Sequence, residues 1–201
     1  MRTLKLITKR TIDIVGSLIG LIILSPAFVI IGLCIKLTSE GPVFFRQERL
    51  GKNGKVFKIV KFRTMVVNAD KIGDGIKVHS DNDERITKVG RILRATSLDE
   101  LPQLWNVLVG DMSLVGPRPP VPYHPYKFVE YSTFQRRRFA MKPGMTGLTQ
   151  VTVRNSVPWD ERIVIDVKYI DEFSLLLDVK ILFMTLLRIV SPNSIYLRDR
   201  N

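Results

Sequence analysis

Cysteine is almost missing from this chain. A single residue, Cys34, occurs in 201, so no disulfide can close within the chain and no cysteine-rich metal centre can be built. Histidine is scarce as well: His79 and His124 are far apart and lack metal-ligand spacing, which argues against zinc. No repeat or low-complexity tract is visible. Acids are outnumbered, 19 Asp+Glu against 31 Lys+Arg, for a net charge of +12. Apolar material is plentiful: 45% of residues are hydrophobic, which excludes a disordered polycation and provides for a core. The length suits one domain, or one domain with an appendage. A folded basic chain implies an anionic partner, whether nucleic acid, anionic lipid headgroups or a phosphorylated substrate. Composition alone does not choose among the three.

From Ile14 to Ile35 the chain carries no charge. As a helix this run would extend about 33 Å, enough to cross the hydrocarbon core of a bilayer. A cleaved signal peptide is disfavoured by the length of the run and the want of an A-x-A site, and a buried core helix is the other alternative. Ser25-Pro26 interrupts the run, and Pro26 cannot donate to the Ile22 carbonyl, so the helix must kink or break there. Basic residues flank both ends: Arg2, Lys5, Lys9 and Arg10 before it, Lys36, Arg46, Arg49 and Lys52 after it. Positive charge favours the cytoplasmic side. A re-entrant helical hairpin satisfies both flanks, and a kinked single-pass anchor remains the competing topology.

Beyond the apolar run, Val43-Phe44-Phe45 and Val56 to Phe62 bracket Gly51-Lys52-Asn53-Gly54, which reads as a β-hairpin with an Asn-Gly turn. Its many basic residues suit contact with headgroups, while Lys61 and Arg63 follow the alternating segment and can point elsewhere. Residues Asn68 to Glu84 read as a loop. A helix starting near Thr87 would set Lys88, Arg91 and Arg94 in one stripe, either an anion site or a solvated face. Ser97 and Glu100 have capping-box spacing, and Leu98, Leu101, Leu104, Trp105 and Leu108 recur on one helical face, which leaves Asp99, Gln103 and Asn106 on the polar side. Acids in a first helical turn need no chemistry to explain them. A carboxylate pair among Arg91, Arg94 and Arg118, however, suits anionic substrates and a divalent metal.

Gly116-Pro117-Arg118-Pro119-Pro120 is a rigid turn holding one guanidinium, a geometry suited to phosphate. Lys142 to Gly147 reads as a second turn whose backbone N–H groups can meet phosphate oxygens. Phe134 to Phe139 mixes rings and arginines, as membrane-surface and nucleic-acid contacts both do. Leu175 to Val190 is apolar almost all round, with a narrow stripe of Ser174, Asp178, Thr185 and Arg188, and must be buried in protein or lie at a bilayer surface.

Three segments carry a resemblance: KFRTM at Lys61 to Met65, GRILRATSLDELPQLWNVLVGDMSLVGPRP from Gly90 to Pro119, and KPGMTGLTQV from Lys142 to Val151. With these, the sequence closely resembles the bacterial monotopic phosphoglycosyl transferases nearly end to end. The resemblance implies transfer of a sugar phosphate from a UDP-sugar to polyprenyl phosphate, with Mg²⁺ and release of UMP, at the cytoplasmic face of the bacterial inner membrane. It implies a mainly helical α+β fold in two parts: residues 1–40 as a re-entrant helix broken at Ser25-Pro26, and residues 41–201 as a cytosolic catalytic domain with a basic β-hairpin and interfacial helices. It assigns the nucleophile to Asp99, the metal-associated partner to Glu100, and phosphate contacts to Arg94, Arg118 and Arg154, with Lys61, Arg63 and Asp166 as further polar positions. A carboxylate attacking a phosphoryl group to give an acyl phosphate is consistent chemistry. The chain departs from many relatives at Thr152-Val153, before Arg154, and over Pro119 to Pro125, both where nucleotide or sugar contacts are expected. It is also expected to lack the extra membrane domain of larger relatives. The rival function, a membrane-tethered nucleic-acid-binding module, gives Asp99 and Glu100 no role, and no nucleic-acid recognition motif accompanies it.

Overall fold

The amino-terminal apolar segment forms two successive helices, α1 (Arg2–Ile23) and α2 (Ser25–Thr38), separated at Leu24. The structure, a computed structural model, describes residues 2–72, 83–153 and 156–190. Pro26 has no N–H for the Ile22 carbonyl, and the Ser25 hydroxyl donates to that carbonyl instead at 2.8 Å. The Ile22 carbonyl thus keeps a donor at the break. Thr3–Thr38 is long and apolar enough to cross a membrane, and almost none of it is buried. Both arms still touch the rest of the protein: α1 packs on α4 (Gln103–Val109) and β3 (Ser113–Val115), and α2 packs on α3 (Lys88–Thr96). In the second contact Ile35, Phe62 and Leu93 form a small core.

The inner side of α1 is polar where it meets the body. Lys9, only 7% exposed, pairs with buried Asp178, and the Asp13 carboxylate accepts from Ser113 Oγ and the Leu114 N–H. Arg10 donates to the carbonyls of Val107 and Leu108, capping the end of α4 where helix carbonyls are orphaned. Two of the four basic residues that precede the apolar run are therefore engaged by the body of the protein.

The hairpin exists, but its turn differs from the expected one. Strands β1 (Phe44–Leu50) and β2 (Val56–Phe62) pair antiparallel, with Leu50 opposite Val56 and Arg49 opposite Phe57. Gly51 to Lys55 form the connection, where Asn53 (φ 55°) and Gly54 (φ 77°) both adopt left-handed backbone. A two-residue Asn-Gly turn would instead oppose Leu50 to Phe57. The one-residue difference exchanges the two faces of β1. Phe57 and Ile59 pack against Val107 and Met112, and the Asn106 side chain accepts from the Val60 N–H and donates to the Lys58 carbonyl. Asn106 thus stands in for a neighbouring strand along β2. It is buried, not on a solvated face as its spacing suggested.

The helix expected from Ser97 onward is also reshaped. Thr87 caps α3, accepting from the Gly90 N–H, but Ser97 ends that helix with φ 58°, its N–H donating to the Arg94 carbonyl, and its side chain makes no capping bond to the turn that follows. Residues Leu98–Glu100 form a 3₁₀ turn, and α4 begins only after Pro102. Proline suits a helix start but cannot continue the hydrogen-bond ladder. Trp105, expected on the apolar face, is 54% exposed, while Gln103 is buried.

The Lys142–Gly147 segment is not an open phosphate loop. Residues Gly144–Thr146 form β4, parallel to β3, with the Gly144 N–H bonded to the Pro117 carbonyl. A Cβ on Gly144 would lie 2.0 Å from the Gly116 nitrogen, so the close approach of these two backbones requires glycine. The short helices α5 (Thr133–Arg136) and α6 (Leu148–Thr152), then α7 (Trp159–Asp171) and α8 (Leu175–Val190), complete the described chain. The arginines of 136–138 serve the fold: Arg136 bonds the Val129 carbonyl, Arg137 pairs with Asp171, and Arg138 pairs with Asp166. The polar stripe of α8 faces inward. Asp178 accepts from the Tyr169 hydroxyl as well as Lys9, Thr185 bonds Thr146, and Arg188 donates to the Thr152 carbonyl. Its apolar face, with Leu176, Val179, Phe183, Leu186 and Leu187, is exposed.

Candidate active site

The α3–α4 junction carries Asp99 and Glu100 on a single 3₁₀ turn. Ser97 reverses the backbone there, and Leu98 packs against the core of Ile35, Phe62 and Leu93. That contact anchors the turn between the end of α2 and the hairpin.

Lys61 arrives from β2. It shares the strand face of Phe57 and Ile59, both buried, because alternate residues point the same way. Its Nζ lies 2.6 Å from Glu100 Oε1, and Arg118 NH2 reaches the same oxygen at 3.0 Å. Burial opposes ionisation of Glu100, but Arg118 and Lys61 outweigh it and hold the carboxyl well below the usual carboxylate range.

Asp99 is different. Its carboxylate accepts no hydrogen bond from any described residue, and burial raises its pKa. Lys61 opposes that rise, Glu100 adds to it, and Arg94 and Arg118 oppose it. Two adjacent carboxylates with their pKa values driven apart are a common mark of an acid–base or nucleophilic site. Arg94, on the last turn of α3, is half-buried and within electrostatic reach of Asp99.

Prolines 117 and 119 flank Arg118, whose side chain is 43% exposed. Its backbone is fixed from behind: Arg138 NH2 donates to the Arg118 carbonyl and to Asp166 Oδ2. Asp166 also accepts from Thr149 Oγ1. At 2% exposure Asp166, a candidate substrate-binding residue from the sequence, is a strut beneath the Arg118 turn. Arg63 is displaced from that expectation as well. Its guanidinium is bound by the carbonyls of Ser39 and Glu40 and by Ser39 Oγ, so it ties the end of α2 to β2. Both corrections have one cause: a buried ion or guanidinium must satisfy its donors and acceptors internally. Arg154 lies outside the described residues.

Arg49 was not singled out as a site residue. It reaches the back of this site, donating to the Pro119 carbonyl at 3.0 Å and to Gln47 Oε1 at 2.6 Å. Only the hairpin register reveals it, by placing Arg49 opposite Phe57 on the inward face.

No group of three or more His, Cys, Asp or Glu is gathered among the described residues, so these residues offer no all-protein metal cage. An adjacent Asp and Glu are nevertheless donors of the kind that suits Mg²⁺, which is commonly held by one or two carboxylates, water and substrate phosphates.

Comparison with known proteins follows the same lines. Residues 4–192 match the family described as bacterial sugar transferase. Galactosyl transferase CpsE of Streptococcus agalactiae is 44% identical over 192 residues, covering 90% of this chain and 42% of that protein. The UDP-glucose:undecaprenyl-phosphate glucose-1-phosphate transferase of Escherichia coli K12 is 42% identical over 186 residues, covering 90% and 39%. The exopolysaccharide production protein ExoY of Rhizobium meliloti is 37% identical over 191 residues, covering 89% and 83%. The chain thus spans about two-fifths of the first two relatives and most of the third. The sequence motifs, the clustered Asp99, Glu100, Lys61 and Arg118, and the match across nearly the whole chain agree: the chain belongs to the bacterial sugar transferase family.

Proposed function

We propose that this chain transfers a sugar 1-phosphate from a UDP-sugar to a polyprenyl phosphate, releasing UMP, through a phosphosugar covalently bound to Asp99. The observation that carries this reading is the contrast between Asp99 and Glu100. One carboxylate is clamped by two cations; its neighbour is unbonded, raised in pKa and therefore more nucleophilic once ionised. Asp99 attacks the sugar-bearing phosphorus, and the bond to the UMP oxygen breaks with its electron pair leaving on UMP. A phosphate oxygen of the acceptor then attacks the same phosphorus, and the Asp99 oxygen departs. Splitting the transfer in two is the general benefit of a covalent intermediate.

Lys61 holds Glu100 ionised beside the reacting group, and Arg118 offers its exposed guanidinium face to phosphoryl oxygens. Glu100, with Asp99, would hold Mg²⁺ against the donor diphosphate. When bound, that ion supplies charge neutralisation on the phosphoryl oxygens. The names of relatives support the substrates: the E. coli protein is named for UDP-glucose and undecaprenyl phosphate.

The reading places α1 and α2 as a re-entrant hairpin, with the catalytic part on the cytoplasmic face and α8 at the headgroup level. Both arms packing on one body, the serine-satisfied break at Pro26 and the exposed apolar face of α8 support it. Its test is intact-mass analysis of the purified protein incubated with a UDP-sugar and Mg²⁺. A phosphosugar adduct is expected on the wild type and absent from Asp99→Asn, with turnover lower by about three orders of magnitude or more. An Asp99→Asn protein with wild-type turnover would overturn the assignment.

A further inference from the structure

Arg49 is a half-buried cation that forms no ion pair with a carboxylate of the described residues. Its fork donates once to the Pro119 carbonyl and once to the Gln47 amide oxygen, and both partners are neutral. Its Nε is buried and has no hydrogen-bond partner. No carboxylate among the described residues pairs with it: the nearby Glu100 is already taken by Lys61 and Arg118. Leaving a buried guanidinium unpaired is costly, and its neighbour Arg118 makes it worse by like charge, whereas a phosphate would supply the missing acceptors. The charges around the junction agree. Lys61, Arg118 and Arg49 are all within electrostatic reach of the single carboxylate of Glu100.

Position indicates which phosphate. Asp99 is within electrostatic reach of Lys61, Arg94 and Arg118, and Arg49 is within reach of Arg118, Glu100 and Tyr123. Arg118 interacts with both, and Arg49 bonds the carbonyl of the next residue, Pro119. In an in-line displacement the entering and leaving oxygens occupy opposite sides of the phosphorus. A phosphoryl group at Arg118 that bonds to Asp99 on one side therefore presents its leaving group away from Asp99, where a further cation held beside the Arg118 turn, such as Arg49, can meet it. The same position must receive the oxygen that later displaces Asp99.

We propose that Arg49 forms a phosphomonoester subsite beyond Arg118, which grips the phosphate of departing UMP and then the phosphate of the incoming polyprenyl acceptor. This rests on the two-step reading proposed above. Burial, followed by the charge of Arg118, lowers the Arg49 pKa to about 10, so the guanidinium remains charged at neutral pH.

The test is direct binding to the full chain in detergent or nanodiscs with no sugar donor, using labelled UMP and, by competition, a short-chain prenyl phosphate. Arg49→Gln is expected to weaken both ligands roughly tenfold or more, since one charge-assisted contact is lost from each. Arg49→Lys, which keeps charge but not the fork, should lose severalfold. Gln47→Ala, which removes only a neutral partner of the guanidinium, should bind both as wild type. Unchanged UMP affinity in Arg49→Gln, or a loss confined to one of the two ligands, overturns the proposal. If Arg49→Gln does not fold, Arg49→Lys decides by the same criterion. Because no donor is present, these measurements read Arg49 whether or not the Asp99 adduct is found, and its absence would count against the covalent reading alone.

Discussion

Lys61 Nζ and Arg118 NH2 meet on a single oxygen of Glu100, at 2.6 and 3.0 Å, beside an Asp99 carboxylate that no described residue bonds. Glu100 absorbs the direct cationic contacts while Asp99 feels the same cations only through space. One turn of backbone thereby holds one carboxylate clamped by cations and one left open, the proposed nucleophile.

Replacing Lys61 with Gln should expose that division. Burial raises the Asp99 pKa and Lys61 is the largest influence pulling it back, so removing Lys61 raises it further. In the proposed reaction only ionised Asp99 attacks, so activity is lost as pH falls through this pKa, and the loss should begin at higher pH in Lys61→Gln than in the wild type. At neutral pH the rate should drop about 10- to 100-fold. Single-turnover UMP release measured across pH checks both, and an acidic limb that stays in place or moves down would contradict the electrostatic assignment.

Arg138→Met should unfold more readily than its distance from the reacting atoms suggests. It leaves Asp166 buried without its ion-pair partner and the Arg118 carbonyl without its donor. Removing one member of a buried pair costs about 3–5 kcal/mol. The Asp166 carboxyl, already raised by burial, would rise further in the variant. A carboxyl whose folded pKa lies above its unfolded value destabilises the fold as pH rises through the unfolded value. The defect should therefore be smaller near pH 5 than near pH 8, as read from denaturation midpoints.

Pro26→Ala tests the topology. Restoring an N–H at that position lets the Ile22 carbonyl take its ordinary helical partner and removes the need for the Ser25 hydroxyl. The segment should then straighten toward a continuous spanning helix. In a Cys34→Ser background, single cysteines before Ile12 and after Lys36 should label from the same side of membrane vesicles in the otherwise native protein, and increasingly from opposite sides with Pro26→Ala. Opposite-side labelling without the Pro26 change would refute the hairpin.

Local chemistry determined much of this protein. The apolar run, its break at Ser25-Pro26, the Thr87 helix start and the Asp99-Glu100 pair all follow from neighbours along the chain, because hydrogen-bond donors, caps and charge runs act over a few residues. The LDELPQ segment further marked the chemistry through its resemblance to a family. Local rules misled where distant contacts outweighed them. Ser97 has the spacing of a capping box, yet packing of Leu98 on Ile35 and Phe62 accompanies a left-handed reversal there.

What only the tertiary structure decided is which side of each element faces inward. The Asn-Gly signal implies a register one residue away from the one adopted, and with Phe57 and Ile59 seated on α4 the observed register turns Arg49 toward the site. Asp166 and Arg138 are 28 residues apart and meet only in the fold. The sequence alone marks α8 as a helix with one narrow polar stripe, but not that Lys9 and Tyr169 would draw the stripe inward and leave the apolar side exposed. A period along the chain states that two faces differ. The partners that bury one of them come from elsewhere in the sequence, so the orientation is a property of the assembled molecule.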